Sequence, residues 1–193
     1  MKFEWVYYEK EIDEKTIDNI VTRGLSKKLG VGEVGGVSEN PSSYGVNKKQ
    51  RKSKINFFDE LKDIDIFDRV YKLGMTSNNF NFGFDINQLQ AVQFSIYDAK
   101  DAGHYDWHTD ILWVTDSMFH RKLSVVVQLS NPSEYEGGEL QFFNTTFTKQ
   151  EKKRLQQKGS VIVFPSFIEH RVTPVTKGKR MSLIGWLTGA KFK

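Results

Sequence analysis

The sequence predicts a mainly β domain, a sandwich or barrel, with an α-helical elaboration at its N-terminus. Three observations lead there. From about residue 80 the chain becomes a series of short β-branched or aromatic segments bounded by turn residues, which is the pattern of a sandwich or barrel. Before that point, two stretches repeat apolar residues at helical spacing. The length of 193 residues, with 38% hydrophobic and 13% aromatic content, suits one domain spanning 1–193 and excludes a disordered chain. Residues 1–79 form the elaboration in this reading, and 80–190 the β core.

The elements follow in order. Residues 5–8 read as a short strand. Asp13 is suited to cap a helix running to about Leu29, with Ile17, Ile20, Val21 and Leu25 on one face and Gly30 at its end. Residues 30–50 hold five glycines among Ser and Asn. That stretch is too long for a plain connector and is expected to be a mobile loop over a site. A strand is expected at 52–58 and a second helix at 60–74, with Leu61, Ile64, Phe67, Val70, Tyr71 and Leu73 inward. Strands are expected near 80–85, 88–97, 104–110, 122–130, 138–144, 160–164, 170–175 and 180–188. The basic stretch 147–158 reads as an exposed loop or helical turn, and there is no internal repeat.

Composition narrows the chemistry. There is no cysteine, which removes disulfide scaffolds, zinc fingers, iron–sulfur clusters and thiol nucleophiles. Any metal must be held by His and carboxylates. No run of 18 apolar residues exists for a membrane span, and the N-terminus lacks the apolar region of a signal peptide, so a cytoplasmic protein without a membrane partner is expected. The charge of +4 is mild and argues against a dedicated nucleic-acid binder.

The four histidines are His104, His108, His120 and His170. In a strand, residues two apart share a face. His108 and Asp110 can present an imidazole and a carboxylate side by side. His104 and Asp106 form a second pair of the same kind, and periodicity leaves both open. A third ligand is needed, and His170 follows later in the β segment. Two His and one carboxylate leave three metal positions open, the arrangement of non-haem Fe(II) oxygenases. Thr176–Lys179 reads as a hairpin turn, which makes strands 170–175 and 180–188 neighbours. Arg180 then sits about five residues along from His170, about 16 Å of strand. A five-carbon diacid and a long Arg side chain can bridge that gap, because a guanidinium binds a carboxylate bidentately.

The run His108-x-Asp110, His170 and then Arg180 resembles the Fe(II)/2-oxoglutarate-dependent dioxygenases, most of all their prolyl 4-hydroxylase-like branch. Further matches are Tyr97, Tyr105 three residues before His108, the segment Tyr135–Leu140, Phe164-Pro165-Ser166 before His170, and Arg180-Met181-Ser182 followed by Trp186. The resemblance covers about residues 85–190. In that family Tyr-x-x-His-x-Asp carries the first metal ligands, which selects His108 and Asp110 over His104 and Asp106; His104 then borders the site or hydrogen-bonds a neighbour.

The resemblance implies a double-stranded β-helix, or jelly roll, with helices packed on one sheet. It implies Fe(II) on the catalytic ligands His108, Asp110 and His170, and 2-oxoglutarate with its 5-carboxylate on Arg180. Tyr97 matches a position whose phenol also contacts that carboxylate. Gln128 stands where relatives carry an aromatic cosubstrate contact, and Ser182 adds a hydroxyl. Molecular oxygen is then consumed with release of succinate and CO2, with ascorbate as a reductant. Asp110 argues for hydroxylation, since halogenating relatives carry a small residue there. The branch implies a protein or peptide substrate, namely a peptidyl proline. The alternatives are oxidative demethylation of nucleic-acid bases, small-molecule hydroxylation, and a non-catalytic jelly-roll binding module. The demethylating relatives carry a second Arg where this chain has Trp186. A binding module needs no complete triad with an Arg.

Overall fold

The computed structural model describes residues 4–35 and 44–193. Among them the element order begins β1 (Val6–Tyr8), α1 (Glu14–Ser26), β2 (Gly30–Val31), β3 (Val34–Gly35), β4 (Tyr44–Gly45), β5 (Arg51–Lys52), β6 (Lys54–Phe57) and α2 (Ile64–Ser77). It continues with β7 (Gln88–Asp98), β8 (His104–His108), β9 (Phe119–Gln128), β10 (Tyr135–Gly137), β11 (Leu140–Phe142), α3 (Lys149–Leu155), β12 (Val161–Pro165), β13 (His170–Val172) and β14 (Val175–Ala190).

Two sheets face each other. The larger runs β1-β12-β9-β14-β7-β6-β2, with β10 also pairing β14, and the smaller runs β11-β13-β8-β5. All the ladders are antiparallel, for example Arg180 opposite Tyr97 and Ser182 opposite Gln128. Both faces of the larger sheet are buried. On its outer face Val92, Phe94, Leu123, Val125, Val127, Leu183 and Leu187 pack against Ile17 and Ile20 of α1 and Phe67 and Val70 of α2. The alternate residues of β7, β9 and β14 face the space between the sheets. Polar side chains are concentrated there, among them Gln93, Ser124, Gln128, Arg180 and Ser182, all buried.

The helices follow their local signals. Asp13 caps α1 by accepting from the Thr16 backbone N–H at 2.9 Å. A buried Asp63 at the head of α2 ties the helices together through ion pairs with Arg23 and, at 2.7 Å, Lys27. Leu25, Leu61 and Ile64, expected inward, are 52%, 89% and 53% exposed. For the last two the reason is that α2 starts four residues later than its apolar pattern suggests, so Leu61 lies in the preceding turn.

Three further expectations are corrected. The expected strand 80–85 does not form. Asn78–Phe82 is a widened π-helical turn, closed by Gly83 and by Asn78, whose side-chain amide both donates to and accepts from Phe84 at 2.8 Å. The strand expected at 104–110 stops at His108, and Asp110 lies just beyond it. Thr176–Lys179 is not a hairpin turn. It belongs to β14, with Gly178 at φ 67° opposite Tyr135, where a Cβ would strike the Glu134 carbonyl at 1.9 Å. The chain crosses between sheets at Thr173-Pro174 instead, so β13 and β14 are not neighbours.

The stretch 147–158 is a helical turn, α3. Thr148 and Glu151 close it as a capping box, and Phe147 and Leu155 anchor it. Of the expected loop 30–50, residues 36–43 lie outside the described residues. On either side of them β3 and β4 pair as a two-stranded ladder. No helix among the described residues is long and apolar enough to cross a membrane.

Candidate active site

His108 ends β8 and His170 begins β13, and the two residues are direct partners in the smaller sheet. Asp110 lies two residues past β8. Its backbone N–H and that of Ile111 donate to the Ser166 carbonyl at 2.9 and 3.1 Å, which ties the turn to the end of β12. The ligand-type atoms of His108, Asp110 and His170 all fall within 4.8 Å of one another. Each His Nε2 lies 3.8 Å from a carboxylate oxygen of Asp110.

The surroundings prepare these three groups as metal ligands. His108 Nδ1 contacts the Asp106 carbonyl at 2.7 Å, and His170 Nδ1 the Ile168 carbonyl at 2.9 Å. A carbonyl can only accept, so Nδ1 carries a proton, and Nε2 is the nitrogen turned toward Asp110 and available to a metal. Burial and the neighbouring His170 push the His108 imidazole well below its ordinary value, so the ring is neutral. Burial pushes the Asp110 carboxyl up, but the Arg121 charge and the Ser124 hydrogen bond are among the contacts that pull it down and favour the ionised form. Ser124 donates to Asp110 Oδ2 at 2.6 Å and shares a 2.9 Å contact with Ser166. The Tyr105 ring stacks on His108 with centroids 3.4 Å apart, and the Arg51 guanidinium stands 4.5 Å from the centre of the Tyr105 ring. Two imidazole nitrogens and one carboxylate form a donor set for a divalent first-row metal such as Fe(II).

The rival pair is otherwise engaged. His104 places its two nitrogens 2.8 and 3.0 Å from the carbonyls of Ala102 and Lys49. Asp106 caps the backbone N–H of Trp107.

The ligand cluster opens onto a cavity of about 130 Å³ between the sheets. Arg180 lines it from β14 and is only 2% exposed. Its guanidinium donates to Gln128 Oε1 at 3.0 Å and Ser182 Oγ at 3.5 Å, and stands over the Tyr97 ring at 5.5 Å. No carboxylate among the described residues pairs with it. A guanidinium buried against neutral groups alone is costly unless an anion joins it. The structure therefore brings together His108, Asp110, His170, Arg180, Tyr97, Gln128 and Ser182. It does so across two sheets, with the His ligands on the smaller one and Arg180 on the larger.

The profile of the 2OG-Fe(II) oxygenase superfamily matches residues 92–188. The chain belongs to this superfamily. That stretch holds the three ligand residues and Arg180, and the residues present suit both Fe(II) and 2-oxoglutarate.

A PKHD-type hydroxylase of Crocosphaera subtropica is 27% identical over 178 residues, 89% of this oxygenase and 77% of the relative. One from Hyphomonas neptunium is 39% identical over 88 residues, 45% of this chain, which spans only 38% of that protein. Among solved structures, the viral collagen prolyl hydroxylase of Paramecium bursaria Chlorella virus-1 superposes with a TM-score of 0.70 at 18% identity, covering 97% of both chains. A Pseudomonas putida prolyl-4-hydroxylase superposes at 0.69, also at 18% identity, covering 96% of this chain and 93% of that one. The fold of the oxygenase is thus that of the prolyl hydroxylases, the jelly roll with helices on one sheet.

Sequence reasoning left Ser124, Arg121 and Arg51 without a role. Arg121 stands 3.9 Å over the Trp186 ring and donates to Gln90 Oε1 at 2.8 Å, forming a cationic wall at the cavity mouth beside Asp110. The alternation along β9 was the available signal, since Ser124 shares a face with Gln128.

Proposed function

We propose that this chain hydroxylates a C–H bond of a peptidyl proline, consuming 2-oxoglutarate and oxygen and releasing succinate and CO2. The observation that carries this reading is one cavity with two prepared ends. Two imidazoles and an ionised Asp converge at one end, and a buried guanidinium without an anion stands at the other. In this reading His108, Asp110 and His170 hold Fe(II), and Arg180 holds the distal carboxylate of 2-oxoglutarate with Gln128, Ser182 and Tyr97 around it. Together the two groups supply an oxidation in which oxygen gives one atom to succinate and one to the substrate, as CO2 leaves.

The chain's own part is to orient and to exclude water. Tyr105 and the Asp106 carbonyl fix the plane of His108. Ser124 fixes the carboxylate of Asp110. Val126, Ile184 and Trp186 line the cavity with apolar surface. Beside the mouth lies a second, smaller pocket lined by Tyr44, Leu112, Phe119 and Arg121. Trp113, Val114 and Met118, all exposed, lie on the same loop as Leu112. In this reading ascorbate acts from outside as a reductant, and the enzyme works in the cytoplasm.

Two measurements test this reading. Succinate release is screened over proline-containing peptides, alkylated oligonucleotides and free amino acids. Stimulation by a proline peptide is expected, and stimulation by an alkylated oligonucleotide alone would overturn the substrate assignment. Ser124→Ala removes only the hydroxyl that orients Asp110. It is expected to weaken iron retention by about 10- to 100-fold against a chelator, and unchanged retention would count against that orienting role.

A further inference from the structure

At one edge of the smaller sheet the chain steps across to the larger one. Arg51 and Lys52 form the edge strand β5, and from Lys54 the chain runs in the larger sheet as β6. An open cleft of about 640 Å³ lies at this step, walled by β2 and by the turn after β7. Five cations line it, namely Lys48, Arg51, Lys52, Lys54 and Lys100. The cleft holds two carboxylates. Asp98 is taken by Lys179 at 3.3 Å and by the Lys100 backbone N–H at 3.0 Å, and Asp101 is exposed. Among the described residues, none of the five cations has a carboxylate at ion-pair distance.

Exposed lysines are solvated, and a group of them is no site by itself. Arg51 sets this cleft apart. It is 5% exposed, and its guanidinium donates only to neutral acceptors, Ser53 Oγ at 2.8 Å and the Glu33 carbonyl at 3.0 Å. A guanidinium carries five N–H donors in a planar fork, so most of this one is unspent. Gly32 packs its backbone onto the same group, since a Cβ there would stand 2.6 Å from Arg51 Nε. Arg51 is also the one side chain that this cleft shares with the catalytic cavity, where it stands over Tyr105.

A buried cation without an anion is costly, and four more unpaired cations around one opening add repulsion. An anion of two or more charges relieves both. A phosphoryl group suits the arrangement best, because its oxygens can take the planar Arg fork and still accept from flexible ammonium groups. The volume is that of a small-molecule site.

We infer that this cleft binds a small phosphorylated anion, with Arg51 as its buried anchor and Lys54 and Lys100 at its rim. The inference stands apart from the substrate assignment above.

The test is calorimetric titration of the full chain with fructose 1,6-bisphosphate. The chain is loaded with Zn(II), so that it cannot turn over, and saturated with 2-oxoglutarate. One saturable site is expected. Lys54→Gln combined with Lys100→Gln should weaken it about tenfold or more, the loss typical of hydrogen bonds to a charged group. Both side chains are exposed, so the melting temperature should hold. Arg51→Lys should weaken binding too, because it keeps the charge but not the fork. Lys153→Gln, on α3 against the opposite edge strand β11, should change nothing. Absence of saturable binding, or an affinity unmoved by the paired lysine substitutions, would overturn the inference. So would an equal loss in Lys153→Gln, which would show diffuse attraction only. Binding of a hexaglutamate peptide in place of the bisphosphate would assign the cleft to acidic protein segments and overturn the phosphorylated ligand.

Discussion

Arg180→Ala is expected to lose 2-oxoglutarate affinity by tens- to thousands-fold, the equivalent of about 2–5 kcal/mol for one partner of a buried, charge-assisted pair. The size follows from the surroundings. Arg180 is 2% exposed, so water cannot replace it, and Gln128 loses its donor at the same time. Iron retention should survive, because both histidine ligands sit on the opposite sheet and Asp110 lies just past it. Arg180→Lys should be visibly impaired too, since an ammonium keeps the charge but not the planar fork. Equilibrium dialysis of the Zn(II)-loaded variants measures this directly, and wild-type affinity in Arg180→Ala would remove the cosubstrate assignment.

The second large effect is on the metal. Removing a ligand should cost more than removing a group that orients one, so His108→Ala and His170→Ala are each expected to lose more than about a hundredfold in iron affinity. His104→Ala should retain iron, because the contacts of both its nitrogens are with backbone carbonyls. It should lose stability instead, since the contact with the Lys49 carbonyl helps hold β5 to β8. Iron retained by His108→Ala and lost by His104→Ala would reverse the choice of pair.

The β core was legible because its signal is local. Alternating polar and apolar residues along 88–97 and 180–188 state which face is inward, and the structure places Tyr97, Arg180 and Ser182 on one face at one level. The spacing His108-x-Asp110 was legible for a reason that proved incomplete. The strand ends at His108, and Asp110 reaches the same point because Ser166 holds its turn in place. The Phe164-Pro165-Ser166 segment therefore matters through a backbone carbonyl, which no residue pattern reveals.

The failures share a cause. Phe80, Phe82 and Phe84 alternate as a strand would, but the Asn78 side chain can satisfy the Phe84 backbone and so stabilises a wide turn instead. Thr176-Lys177-Gly178-Lys179 has hairpin composition, but the pairing of β10 along β14 decides its conformation from outside. The route from His170 to Arg180 was drawn along one sheet, whereas the chain changes sheets at Pro174. The diacid therefore spans the gap between sheets.

The central claim is that iron and 2-oxoglutarate occupy the two ends of a single cavity. The most direct measurement is a crystal structure of the full chain grown without oxygen in Mn(II) and 2-oxoglutarate. The account predicts metal density touching Nε2 of His108, Nε2 of His170 and the Asp110 carboxylate, with the distal carboxylate of the diacid on Arg180. Metal seated on His104 and Asp106, or a diacid whose distal carboxylate lies away from Arg180, would contradict it.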